Sequence, residues 1–482
     1  MKKPGAAKKK PGAAEKKPGE LDPDYGKDGV SIVPAEFSGD ETYTLQIEVC
    51  VKNTIDDSMV FVGHNPPQDG SGAVPWRPLF FTRIDKNGKW DESLRHVKLP
   101  ETGMEEYGII RSLNYITLDG RGRYLASFVY RYGSAGNIVY HAAIHAFDEN
   151  FKPIGDFGEN GMIYLKHPDY PQKGSKKPQP KLNPKKSTTG NVSETEQCPN
   201  SSKPENLDYR FESKLDLVDG KIKIIFSGLV MNSTGLITNS TLCALLNPHT
   251  GELVAGLGEK GDKSQIALPV VADRVFIPYR VEFLKDGSFL IAGFTTDKNE
   301  PYLVRFNSNA TLDENFGDGG KIRLAGAPLH TGLAVFKNTI VVSTAPFHAG
   351  SDPTQLYGFT LSGKVLPQFT KEIRSPSFTK GHKKNAQTGI SLHHIKFDPA
   401  GRLVLAGNII DEHKFSYLQI ARLSADGTLD ESFGKGGFSD PKKFDYLYSS
   451  HGIYLLKDAI NIFSWMDKSL VQRHDRIARF TA

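Results

Sequence analysis

One nonapeptide recurs along the chain and restricts what it can fold into. Leu429–Gly437 (LDESFGKGG) reappears as Leu312–Gly320 (LDENFGDGG) and, near the N-terminus, as Leu21–Gly29 (LDPDYGKDG). Ile154–Gly161 keeps Phe157, Gly158 and Gly161 of the pattern. Worn copies stand at Trp90–Leu94, at Leu257-Gly258 with Gly261, and at Val365–Phe369, making seven in all. Recurrence at this period marks one supersecondary unit per copy. The glycines have a physical reason, because tight strand-linking turns need positive φ, which glycine adopts without steric cost.

Between copies the chain reads as short strands. Arg280–Leu284 leads through the turn Lys285–Gly287 to Ser288–Ala292 and then Tyr302–Phe306. The same order returns at Ile395–Phe397, Asp398–Gly401, Arg402–Ala406 and Tyr417–Leu423. β-branched and aromatic runs bounded by Asp, Asn, Gly and Pro are the hairpin signal, and no long segment has helical periodicity. Each unit therefore holds about four strands, the size of one propeller blade. At the C-terminus Ile477–Phe480 matches Ile420–Leu423, the third strand of a unit, and the chain stops just beyond it. The missing outer part is supplied by Leu21–Gly29 and Val30–Val33. The expected fold is all-β, a seven-bladed β-propeller closed by pairing of N- and C-terminal strands in one blade. Such closure hides two sheet edges that would otherwise pair with other chains.

These repeats resemble the delta-sixty repeat, a bacterial β-propeller family marked by Leu-Asp-x-x-Phe-Gly-x-x-Gly turns and Asp-Gly-x-(apolar)-Ala-Gly hairpins. The resemblance extends over almost all of 21–482, and is sharpest in the copies ending at Gly29, Gly320 and Gly437 and in the hairpins 286–293 and 398–407. It implies a propeller and carries no activity, substrate or site residue.

Composition places the rest. Residues 1–20 repeat Lys-Lys-Pro-Gly-Ala-Ala, too polar to fold alone, and their lysines account for the net charge of +5. The expected organisation is a disordered tail at 1–20 and one propeller domain at 21–482, interrupted by a disordered Pro/Lys/Ser/Thr insertion at 166–209. A near-neutral body argues against a protein built to grip nucleic acid. Cys50, Cys198 and Cys243 are too few and scattered for a disulfide framework or zinc site. With neither a signal peptide nor a run apolar enough to span a membrane, the default expectation is a cytoplasmic monomer, with export by a route that needs no cleaved signal as the alternative.

Comparing copies exposes a coupled pair. An arginine sits eight residues before the motif aspartate in Arg83/Asp91, Arg305/Asp313 and Arg422/Asp430, and Arg479 would join Asp22 across the termini. Elsewhere both charges are gone: Ala146 goes with Ile154, Leu245 with Leu253 or Val254, and Gly358 with Leu366. Loss of one partner alone would strand a buried charge. These residues are read as structural Arg–Asp bridges.

Residues entering the inner strand of successive units are often polar, namely Arg111, Arg210, Arg280, His330, His394 and His451. Converging at the axis, they would form a cationic or metal-capable pocket; the competing reading is a rim of side chains bonded to backbone and water. Adjacent His393 and His394 on a strand would point to opposite faces. Asp85–Asp91 has oxygens at calcium-like spacing, but a hairpin turn explains it better. No catalytic or nucleotide-binding motif is visible, and no cofactor is expected. Three functions remain open. The leading one is a non-enzymatic binding or scaffold propeller that holds a protein or glycan partner through loops on one face. The second is an enzyme with a metal-assisted hydrolase or lyase site at the axis, and the third is a lectin.

Overall fold

A computed structural model describes residues 16–33, 46–52, 58–64, 79–91, 95–97, 108–132, 139–165, 213–231, 237–268, 276–295, 300–325, 332–344, 353–374, 389–410, 416–443, 448–469 and 472–482. The proposed insertion at 166–209 lies outside them, as does the tail up to residue 15.

After β1 (Val30–Ile32) the chain lays down consecutive antiparallel sheets. The first holds β2 (Gln46–Lys52), β3 (Met59–His64), β4 (Leu79–Ile84) and β5 (Arg95–Val97). The second holds β6 (Gly108–Leu118), β7 (Arg121–Tyr132), β8 (Val139–Phe147) and β9 (Met162–Leu165). The third holds β10 (Ser213–Val218), β11 (Lys221–Met231), β12 (Ile237–Leu246) and β13 (Gln265–Leu268). The fourth holds β14 (Phe276–Phe283), β15 (Phe289–Thr295), β16 (Glu300–Phe306) and β17 (Lys321–Arg323). The fifth holds β18 (Gly332–Phe336), β19 (Thr339–Thr344), β20 (Thr354–Thr360) and β21 (Lys371–Ile373). The sixth holds β22 (Gly389–Phe397), β23 (Leu403–Ile410), β24 (Ser416–Leu423) and β25 (Lys442–Lys443). The terminal sheet orders β26 (Tyr448–Leu455), β27 (Ala459–Ser469) and β28 (Gln472–Thr481), with β1 pairing on β28 through Val30 and Ala478. Seven four-stranded sheets are thus formed by the described residues. First strands of successive sheets touch one another, so they line the interior. The architecture is an all-β propeller.

The repeat motif acts as a clamp. In every sheet the motif position donates its backbone N–H to the carbonyl of the third strand: Asp22 to Arg479, Asp91 to Arg83, Ile154 to Ala146, Val254 to Leu245, Asp313 to Arg305, Leu366 to Gly358 and Asp430 to Arg422, all at 2.8–3.0 Å. The third-sheet partner of Leu245 is therefore Val254. Motif glycines then reach the next sheet. Gly26 N bonds Asn87 O at 3.0 Å, Gly158 N bonds Thr250 O at 2.7 Å, and Gly258 N bonds Asn309 O at 2.7 Å. Cations cross the same joints to turn carbonyls. Lys223 Nζ donates to Gly287 O at 2.7 Å and Ser308 O at 2.8 Å, Lys371 Nζ to Gly427 O at 2.6 Å, and Arg305 Nη1 to Leu361 O. Asn309, the acceptor of a glycosylation-like triplet, instead serves a joint by donating to Gly258 O at 3.1 Å.

Apolar packing follows the same joints. Buried clusters each bridge two neighbouring sheets, for example Phe81, Phe128 and Phe147 between the first and second. Tyr25, Met59, Phe61, Phe463 and Ile477 pack together between the terminal sheet and the first.

The expected tail boundary needs correction. Residues 16–20 are part of the fold, because the terminal sheet's outer turn must come from the start of the chain. Pro18 O accepts from Gly434 N at 2.8 Å, Gly19 N donates to Thr481 O at 2.9 Å, and Thr481 N donates to Glu20 O at 2.9 Å. Each bond contributes about 1 kcal/mol. A chain starting at Lys16 should therefore exceed one starting at Leu21 by about 2–4 kcal/mol in urea unfolding; equal midpoints and slopes would remove these residues from the fold.

Candidate functional site

β-bulges interrupt the inner strands at residues able to carry chemistry. The β2–β3 register skips Glu48 between Ile47 and Val49, and the β6–β7 register skips Arg111 between Ile110 and Ser112. The β14–β15 register skips Tyr279, the β22–β23 register skips Leu392 and His393, and the β26–β27 register skips His451. Each break lies beside a small residue of the second strand: Gly63, Ser127, Gly293, Gly407 and Ser464 respectively. The reason is steric. A Cβ on Gly407 would lie 1.8 Å from Ser391 O, so the bulged backbone occupies the side-chain space. Bulges re-aim side chains and are over-represented beside active sites. All five breaks fall on first strands, and the first strands of successive sheets touch one another.

The expected axial residues fall at or beside these breaks in part. Arg111 and His451 are bulge residues, while Arg280 and His394 resume the register just after a break. Arg210 and His330 lie outside the described residues. Arg280 is half-buried and donates from Nη1 to Tyr279 O at 2.8 Å, and Tyr279 stacks on Phe294 with ring centroids 5.2 Å apart. The backbone alternation on which the separation of His393 from His394 rests is interrupted between Ser391 and His394. Glu48 and Tyr279 were not singled out from the sequence, and His393 was named only to be set apart from His394. Their signal was the small residue following an apolar one in each second strand.

Among the described residues no three of His, Cys, Asp or Glu gather to hold a metal. The calcium-like spacing at Asp85 is a turn whose carboxylate accepts from Asn87 N at 2.8 Å and Lys89 N at 2.9 Å. Asp148 and Asp398 cap their turns in the same way. His145 is buried and pushed down to about 3 by desolvation, so it stays neutral as a core residue, edge-on to Phe128.

The Arg–Asp positions divide. Arg422, 1% exposed, bridges Asp430 at 2.8 Å and lies over the Phe433 ring at 4.5 Å. Arg305 Nε lies 3.3 Å from Asp313. Arg479 Nε donates to Asn461 Oδ1 at 2.9 Å and its guanidinium lies 3.9 Å from the Tyr25 ring centroid, while Asp22 accepts from Lys16 at 2.6 Å. Arg83 lies over Phe151 at 5.8 Å, and with Asp91 it lines a cavity. Burial pushes the Asp430 carboxyl up, but hydrogen bonds from Ser432 and the Arg422 charge outweigh it and hold the group below its ordinary 3.8.

Two tests follow from this geometry. Arg422→Met or Asp430→Leu alone should cost about 3–5 kcal/mol, and the double variant much less than their sum. Because the folded pKa of Asp430 is depressed, the pair's contribution is complete above about pH 3.8 and is lost as pH falls below it. Additive losses, or a pH profile shared by wild type and the double variant, would rule out the coupling. Gly407→Ala should cost about 1–3 kcal/mol in urea unfolding by overpacking the bulge, and an unchanged midpoint would show that nothing presses on this position.

Residues 284–316 and 399–433 match a family described as a domain of unknown function (DUF5122) beta-propeller. No curated protein matches the chain. Among solved structures, the α-L-arabinofuranosidase Arb93A of Fusarium graminearum is similar at 11% identity and TM-score 0.39, covering 94% of this chain and 96% of that one. A β-1,3-galactosidase is similar at 10% identity and TM-score 0.33, covering 82% and 92%. A polysaccharide lyase, an ulvan lyase bound to a glucuronate–sulfated rhamnose saccharide, is similar at 9% identity and TM-score 0.39, covering 80% of each chain. These likenesses concern the fold alone. The expectation of a non-enzymatic scaffold, which rested on the suitability of a rigid ring for passive holding, is withdrawn beside these three structures, each of which carries the name of a glycan-cleaving enzyme.

Proposed function

We propose that this chain is a glycan-directed enzyme whose site lies at the level of the inner-strand bulges, and that it cleaves an acidic polysaccharide by elimination. The observation that carries the reading is the set of residues at the breaks: Glu48, Arg111, Tyr279, His393 and His451, with Arg280 and His394 adjoining. Elimination beside a carboxylate needs a base for the proton on the neighbouring carbon, cations for the charge that develops on the carboxylate, and an acid for the departing sugar oxygen. His and Tyr suit the proton transfers, and Arg suits a planar carboxylate. Hydrolysis by paired carboxylates would need a second acid, and among the described bulge residues only Glu48 carries one.

The seven sheets are read as seven blades of one closed ring of delta-sixty type. Support comes from β1 on β28, from the shared core of the terminal and first sheets, and from Asn461 Nδ2 lying 3.1 Å from Met59 Sδ across that joint. The outer strands, β1, β5, β9, β13, β17, β21 and β25, are two to four residues long and leave only short sheet edges for self-association, which favours a monomer. No described helix is long and apolar enough to cross a membrane.

The test is incubation of the full chain with polygalacturonate, alginate and chondroitin sulfate, with arabinan as a neutral control, following ultraviolet absorbance of unsaturated ends. The expected result is unsaturated product from an acidic polymer, reduced about 10²–10⁴-fold in His451→Ala or Arg111→Ala. New reducing ends without unsaturation would replace elimination by hydrolysis. No cleavage of any polymer would overturn the enzymatic reading.

A further inference from the structure

The joint between the first and second sheets is one of two whose motif copy lacks the glycines that elsewhere reach the neighbouring turn, the copies being Trp90–Leu94 and Val365–Phe369. A cavity of about 410 Å³ opens there, lined by Arg83, Asp85, Lys89, Trp90 and Asp91. This volume falls within the range of small-molecule sites, ~300–1,000 Å³.

The wall of this cavity is held in advance of any ligand. Asp85 caps its own turn, Gly26 N donates to Asn87 O at 3.0 Å, Ser31 Oγ donates to Gly88 O at 2.8 Å, and Arg479 Nη1 donates to Lys86 O. Trp90 is 8% exposed and packs against Phe61 with ring centroids 5.3 Å apart, which fixes the indole. Lys89 and Asp91 are exposed at the rim. A rigid loop presenting a few polar groups beside a fixed aromatic is the constitution of a binding site.

We infer that this cavity is a second ligand site, distinct from the inner-strand bulges, and that it takes a neutral saccharide. The charges decide the class. Among the described residues two cations and two carboxylates line it, so these present no excess charge that selects an ion. Hydroxyl groups can both accept from Arg83 and Lys89 and donate to Asp91, while the indole of Trp90 offers the sugar's C–H groups an apolar contact. The site stands on β4 and the turn that follows it, whereas the bulges stand on inner strands, so either assignment survives failure of the other.

The experiment titrates the full chain with maltose, cellobiose and lactose, with digalacturonate as the charged comparison. Calorimetry gives affinity, and intrinsic fluorescence reports on tryptophan. At least one neutral disaccharide should bind and perturb fluorescence, with the perturbation lost in Trp90→Phe. Lys89→Met and Asp91→Asn should each weaken binding by about tenfold, the effect of one lost polar contact. Both side chains are exposed, so thermal melting of these variants should match wild type and separate lost binding from lost folding. Acidic-polymer cleavage should persist in Lys89→Met. Absence of binding by all three neutral sugars, tighter binding of digalacturonate, or undiminished binding in both rim variants would overturn the assignment.

Discussion

A single backbone hydrogen bond, from the motif residue to the third-strand carbonyl, holds this architecture together. It occurs at 2.8–3.0 Å in all seven described sheets, including those that have lost the motif's charges. The bond sets where the turn begins, and the turn sets where its glycine amide emerges. At Gly434, φ of +56° and a Cβ position 1.9 Å from Phe438 O leave no room for a side chain. Its amide is thereby directed at Pro18 O in the terminal sheet. Sheet-to-sheet geometry is thus inherited from a local turn, and the apolar clusters fill the space that this geometry defines. Where the charges persist, as at Arg422 and Asp430, they reinforce a bond that exists without them.

This locality explains which parts of the fold were legible. Strands and turns were readable because Gly, Asp and alternating apolar residues encode them within a few positions. The Leu245 partner was ambiguous between Leu253 and Val254 because composition does not specify a hydrogen bond. Residues 16–20 were misassigned because lysine and proline suggest solvated chain, whereas their contribution is made by backbone atoms of Pro18, Gly19 and Glu20. Backbone bonding leaves little trace in residue type.

The candidate site was half legible for a related reason. Arg111, Arg280, His394 and His451 stood out as polar residues where apolar ones were expected. Glu48 and Tyr279 did not, since a bulge is visible in sequence only as a small residue such as Gly63 on the partner strand, and His393 was named only to be set apart from His394. A bulge also interrupts the alternation on which that separation rested. The repeating residues encode the sheets and their turns, and the non-repeating ones fall at the breaks. That division is why the repeat alone led to a scaffold.

The account's central claim is that a ligand meets the protein at the inner-strand breaks. A crystal structure of the full chain soaked with an oligogalacturonate tests this most directly. The predicted result is saccharide density at the level of Glu48, Arg111, Tyr279, His393 and His451, with a carboxylate beside an arginine. Density confined to the outer strands, or an inner face empty at saturating ligand, would contradict it.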